Sequence, residues 1–289
     1  MRSGTNIGFV KIRNNKCIVI DTGLDDDYGR RISKIIQQLG CSNTVIINTH
    51  SHADHIGGNR FLYNRLGLKI YAHPHETIFI KNTELMTTIL YGAPPPRDLK
   101  TKLLYPKPVP SVENVYELPF INKLDIIELP GHTPGMIGLS YENVLFTADT
   151  FFNKKILDKY KIPFHFDNSR ALESLKKLKS IIMNKKFKHI IPSHGEILSA
   201  EKALELIDYN IMVIENLREV VKNIIYENNR VRIEDLLSTL LSMYGVDVKG
   251  VGEYYLLKTC IKSYISWLRD NGFIDFLIED NKLFIIRSK

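Results

Sequence analysis

Thr49-His50-Ser51-His52-Ala53-Asp54-His55-Ile56-Gly57-Gly58 decides how the rest of the chain is read. His50, His52, Asp54 and His55 place four metal-ligating side chains within six residues. The run Val45-Ile46-Ile47 before them is short and β-branched, which predicts a buried strand. Gly57-Gly58 lets the backbone turn sharply into a helix. Ligands at a strand end sit on a rigid rim, where several side chains can converge on one point. Neutral imidazole and carboxylate together suit a borderline divalent ion, zinc first, with iron or manganese as alternatives. A lone histidine at a strand end is ordinarily a surface residue or a hydrogen-bonded core residue. Three of the nine histidines gathered around one aspartate are poor material for a solvated loop.

Working outward, three more segments supply ligand types just beyond or within short apolar runs. They are His132 in Pro130-Gly131-His132-Thr133-Pro134-Gly135, Asp149 in Thr147-Ala148-Asp149-Thr150, and His194 in Pro192-Ser193-His194-Gly195. HxHxDH, then GH, then D, then H, in this order, resembles the metallo-β-lactamase-fold hydrolases over about residues 6–198. The resemblance implies an αββα sandwich with metals at one edge of two sheets, in residues 1–198. Carried over position by position, it implies that His50, His52 and His132 hold a first divalent ion and that Asp54, His55 and His194 hold a second. Asp149 would bridge them. The expected cofactors are two divalent metal ions, Zn2+ before Fe or Mn. A hydroxide between the ions would attack, with Asp54 as the catalytic residue that orients it.

The leading functional expectation is hydrolysis of a small, anionic ester or thioester, as in hydroxyacylglutathione hydrolases. Ser51 interrupts their THHH opening, so glutathione as carrier does not follow. The alternative is a nuclease or phosphodiesterase acting on single-stranded RNA, although the chain has no room for a β-CASP insertion. A third reading, an iron sulfur-dioxygenase, needs one metal and leaves the second ligand set without a purpose.

At 289 residues the chain is long enough for one or two domains with a sizeable core. Hydrophobic content of 44 % and charged content of 25 % are those of a globular protein. No run reaches the roughly 18 apolar residues of a membrane span, and Met1 to Phe9 lacks the apolar core of a secretory signal. Cys17, Cys41 and Cys260 show neither ligand nor disulfide spacing. Cys17 and Cys260 lie in apolar patterns and read as buried thiols, which fits a cytoplasmic location. The net charge of +7 is uneven: residues 201–289 hold 12 Lys+Arg against 14 Asp+Glu, leaving 27 against 18 in residues 1–200. A positive field concentrates anions, although a solvated lysine-rich surface explains the same count.

Along the chain, Ile7–Val10 and Cys17–Ile20 predict a hairpin around Asn14-Asn15. Asp25 is placed to cap a helix carrying Ile32, Ile35, Ile36 and Leu39, closed by Gly40. One helix is expected over Glu76–Leu90, followed by proline-rich extended chain whose stretch Tyr91–Tyr105 is read as a wall over the metals or as a surface connector. His73 and His75 are assigned to a loop or to a supporting role. Among Lys154, Lys155, Lys159 and Lys161, one lysine could grip a substrate anion if the cluster is not simply solvated.

From residue 199 the texture changes to three helical patterns and a hairpin, the order of a winged-helix-like module in residues 199–289. That module is net acidic, and Lys258, Lys262 and Arg269 are few for counterion release, so packing or homodimerisation is expected of it before DNA binding. The expected partner is a small anionic molecule, with RNA as the alternative and no membrane.

Overall fold

The computed structural model describes residues 4–12, 15–119, 121 and 124–288. Two stacked sheets carry helices on their outer faces. In the first, β1 (Gly8–Ile12) pairs antiparallel with β2 (Lys16–Ile20), and the chain crosses through α1 (Asp26–Gln38) to β3 (Asn43–Ile47). It then passes through α2 (Ala53–Ile56) and α3 (Asn59–Leu66) to β4 (Lys69–Ala72). Helices α4 (Pro74–Lys81) and α5 (Glu84–Tyr91) lead on to the edge strand β5 (Glu113–Asn114). β2 to β5 run parallel, in the order β1-β2-β3-β4-β5.

The second sheet is β6 (Asp125–Glu128), β7 (Ile137–Tyr141) and β8 (Val144–Ala148). After α6 (Lys154–Tyr160) and α7 (Asn168–Asn184), β9 (His189–Pro192) joins it parallel to β8. The chain closes with α8 (Ala200–Glu227), β10 (Arg230–Val231), α9 (Ile233–Tyr244), α10 (Val251–Asp270), β11 (Ile274–Glu279) and β12 (Lys282–Arg287). The last strands form a separate sheet, β10-β12-β11.

Side chains alternate across a strand, and a sheet covered on both faces therefore reads as an unbroken apolar run. Ile18, Ile20, Val45 and Ile47 point between the sheets, where they meet Ile137 and Leu139. Val19 and Ile46 point the other way, into a cluster with Ile32, Ile36, Ile56 and Leu62 from α1, α2 and α3. The outer face of the second sheet packs with Leu175, Leu178 and Ile182 of α7. That cluster continues without a break into Ile207, Leu217 and Val221 of α8 and Ile261, Tyr264 and Leu268 of α10. The mixed α/β sandwich with a C-terminal helical region is the fold that the family resemblance implied.

Asp25 does cap α1, accepting from the backbone N–H groups of Asp27 and Tyr28. Asn14 of the expected turn and Met1 to Ser3 lie outside the described residues. Among the described residues no helix is long and apolar enough to cross a membrane.

Two expectations are corrected and a third is narrowed to one of its alternatives. The single helix over Glu76–Leu90 is two, because the chain breaks at Asn82-Thr83 between α4 and α5. Of the two readings of Tyr91–Tyr105, the contacts are those of a connector: Tyr91 packs on Tyr255 of α10, with ring centroids 5.1 Å apart, and Lys102 is tied to Asp25. Cys17 is not a free thiol but is joined to Cys41 in a disulfide, with Cα atoms 5.8 Å apart. Gly40, at φ +65°, turns the chain after α1 back toward β2, a proximity that a separation of 24 residues does not reveal. Cys260 alone remains a buried thiol, so cysteine usage no longer argues for a reducing compartment. Closing a loop of this length restricts the unfolded chain, so reduction should lower unfolding free energy by about 3 kcal/mol. Urea unfolding with and without reductant, and with Cys41→Ser, measures this.

Candidate metal centre

The chain turns at the ends of β3, β8 and β9 and in the loop before β7 put all seven predicted ligand residues on one rim. His52 Nδ1 lies 3.2 Å from His50 Nε2 and 2.9 Å from His132 Nε2. Asp54 Oδ2 lies 3.4 Å from His194 Nε2 and 3.8 Å from His55 Nε2. Between these groups stands Asp149, whose Oδ2 is 3.4 Å from His132 Nε2 and 3.5 Å from His194 Nε2, and whose Oδ1 is 3.7 Å from His55 Nε2. The first three ligand atoms form one potential cation site, and Asp54, His55 and His194 form another.

The outer nitrogens of three imidazoles are held by the protein. His132 Nδ1 donates to the Phe164 carbonyl at 2.9 Å, and His55 Nδ1 donates to Asp21 Oδ2 at 2.8 Å. His50 Nδ1 is 3.2 Å from Thr49 Oγ1, whose own hydroxyl donates to Asp21. With the proton outside, each Nε2 presents a lone pair inward. Lone pairs converging at these distances repel one another unless a cation sits among them. His55 Nε2 and Asp149 Oδ1 are buried and have no hydrogen-bond partner among the described residues, which is costly unless a metal satisfies them. The residues therefore fit a pair of divalent cations.

The protein's own charges distinguish the two halves. Burial and the neighbouring imidazoles push His50 well below the ordinary histidine range, and burial with His132 pushes His52 to about 3. Burial also opposes charge on His55, but Asp21, Asp54 and Asp149 outweigh it and raise the group to about 9. Burial is likewise outweighed at His194, which Asp149 and Asp54 raise to about 10. The second half is thus arranged for positive charge, and a cation there displaces protons.

Several supporting residues carried no readable signal. Asp21, held at φ +61° at the end of β2, accepts from the Thr49 N–H and hydroxyl as well as from His55. Glu76, buried in the first turn of α4, accepts from the Ser51 N–H at 2.9 Å and the Gly135 N–H at 2.7 Å, so one carboxylate ties the two main ligand loops together. Thr5 Oγ1 donates to Asp54 Oδ2 at 3.0 Å, and Asn6 Nδ2 donates to the carbonyls of Pro192 and Gly195 around His194. His73 and His75 pack behind the loop: a Cβ on Gly135 would meet His73 Nδ1 at 2.4 Å. Lys154 is paired with Glu205 of α8, and Lys159 is turned onto Tyr160. Beside His52 and His132 opens an apolar crevice lined by Phe79, Met86, Ile89, Phe164 and Phe166.

Residues 2–181 match the model of the metallo-beta-lactamase superfamily. A probable metallo-hydrolase of Methanocaldococcus jannaschii is 28 % identical over 187 residues, covering 64 % of this chain and 86 % of that protein. An N-acyl homoserine lactonase of a Bacillus species is 29 % identical over 165 residues, 54 % of this chain and 59 % of that protein. The crystal structure of a metallo-beta-lactamase family protein of Thermus thermophilus is 17 % identical. It superposes with a TM-score of 0.67 over 99 % of both chains, so the likeness in fold extends through the C-terminal helices.

Proposed function

The chain belongs to the metallo-β-lactamase superfamily and is a hydrolase of that fold, and we propose that it uses two divalent cations, zinc first, to hydrolyse a small, anionic ester or thioester. The observation that carries this reading is the position of Asp149 between two groups of inward-facing ligand atoms. His50, His52 and His132 would hold one cation, and Asp54, His55 and His194 the other, with Asp149 common to both. When bound, such a pair would supply Lewis acidity that lowers the pKa of a nearby water.

The chain's own part is orientation. The hydroxyl of Thr5 fixes Asp54 Oδ2, which leaves that carboxylate to align the attacking water and accept its proton. Asp21 and the Phe164 carbonyl keep His55 and His132 from rotating, so the ligand atoms stay aimed at the centre. No side-chain nucleophile is needed. The excess of basic residues in positions 1–200 favours an anionic substrate.

The test is a paired assay of the zinc-loaded protein on an ester and thioester panel and on labelled single-stranded RNA, with metal content measured per chain. Turnover of the acyl compounds with two metals per chain is expected. RNA cleavage that falls steeply with salt, without acyl turnover, would replace this reading by a nuclease.

A further inference from the structure

We propose that two copies of this chain pair through their C-terminal hairpins, with the turn Ile278-Glu279-Asp280 of each seated in a groove of the other. This inference does not depend on what the metal centre hydrolyses. In an antiparallel sheet with one covered face, apolar side chains stay on that face and polar ones look outward. Alternation puts Ile274, Phe276 and Ile278 of β11 on one face, with Ile285 and Leu283 of β12 directly beside Phe276 and Ile278. At the base of the hairpin, Ile274 and Ile285 are buried in the cluster that includes Ile265 and Leu268 of α10. Toward the turn the same row loses its cover. Phe276 is 49 %, Leu283 53 % and Ile278 75 % exposed, and among the described residues no other large apolar side chain is as bare as Ile278. An apolar row that outruns its cover marks a contact surface.

Between the hairpin and α10 opens a groove of about 500 Å³, whose apolar lining is Ile233, Ile265, Phe276, Leu283 and Ile285. Arg232, Lys258, Lys262 and Lys282 border it against one carboxylate, Glu234. Glu234 pairs with Lys258 at 2.9 Å and with Arg232 at 3.6 Å, which leaves Lys262 and Lys282 without an ion-pair partner among the described residues. The groove is thus positive within a module that is net acidic. Its complement is an apolar side chain followed by acids, and the hairpin turn of this same chain carries that order: Ile278, Glu279, Asp280. Asp280 and Asn281 hold φ of +48° and +59°, a two-residue turn that matches the strand twist, so the tip is stiff and loses little freedom on docking. Asn281, Lys282 and Leu283 themselves line the groove, so tip and groove are neighbours. A two-fold axis between them forms both contacts at once, and the assembly closes at two copies. A nucleic acid fits less well, because bases need rings to stack on and Phe276 is the only ring in the lining.

Sedimentation equilibrium of the full chain, from about 1 to 100 μM, tests this. A monomer–dimer equilibrium is expected. Ile278→Lys sets a cation against the basic rim and removes the apolar anchor, so the dimer Kd rises by at least about 30-fold. Lys262→Glu and Asp280→Lys each raise it by about tenfold, since a symmetric interface holds every contact twice. The two together restore the charge pairing and recover most of the affinity. Circular dichroism confirms that each variant is folded, and should Ile278→Lys fail, the exposed Lys262 and Asp280 decide alone. A monomer at every concentration would overturn the proposal. So would a dimer unaffected by Ile278→Lys, which would place the interface elsewhere, or a double variant that does not recover. Labelled single-stranded RNA held by a monomeric chain and released by Lys262→Glu would give the groove to a polyanion instead.

Discussion

Replacing Asp54 by asparagine is expected to lower kcat by about 10²–10⁴-fold, with KM changed only a few-fold, because the loss falls on proton transfer in the transition state. Asparagine has nearly the shape of aspartate and can still accept from the hydroxyl of Thr5. It cannot take a proton at neutral pH, and it removes one negative charge from the half of the centre built around His55 and His194. Steady-state kinetics on the best thioester, with metal content measured on the same sample, separates lost chemistry from lost metal. A variant with full turnover and two metals per chain would remove Asp54 from its assigned role.

The second large effect is expected at Glu76, which never faces the centre. Its two carboxylate oxygens accept from Ser51 in the first ligand loop and Gly135 in the loop that carries His132. Glu76→Ala leaves two buried N–H groups without acceptors, at about 1–3 kcal/mol each. The loops then lose their common anchor, and metal affinity should fall by about 10–100-fold, the usual cost of removing a supporting partner of a metal site. Chelator competition and urea unfolding on the same variant check both parts. Unchanged values in both would show that the loops hold their spacing without this carboxylate.

The two predictions differ in how visible their residues are in the sequence. Asp54 is legible because it sits inside a ligand cluster whose spacing has few other uses. His132, Asp149 and His194 are legible because each follows an apolar run that must be a strand, and strand ends share a rim. Glu76 looks like any acidic residue in a first helical turn, where the helix dipole alone would account for it. Its partners lie 25 and 59 residues away, and nothing local encodes them. Asp21 is hidden for the same reason. Met86 and Ile89 stand at helical spacing, which reads as an ordinary core face, whereas in the folded chain they border a crevice. The proline-rich stretch left two readings open, since prolines show that a segment is extended and stiff but not what it rests against.

The unbroken apolar cluster that runs from α7 into α8 and α10 has a practical consequence. Ending the polypeptide at 198 would remove α8 and α10 from the cluster they share with α7 and would strip the support from Asn168 and Pro163. A shortened version would thus forfeit solubility and the alignment of His132 together. Anyone grafting this catalytic half onto another scaffold must supply a replacement cover of the same contour.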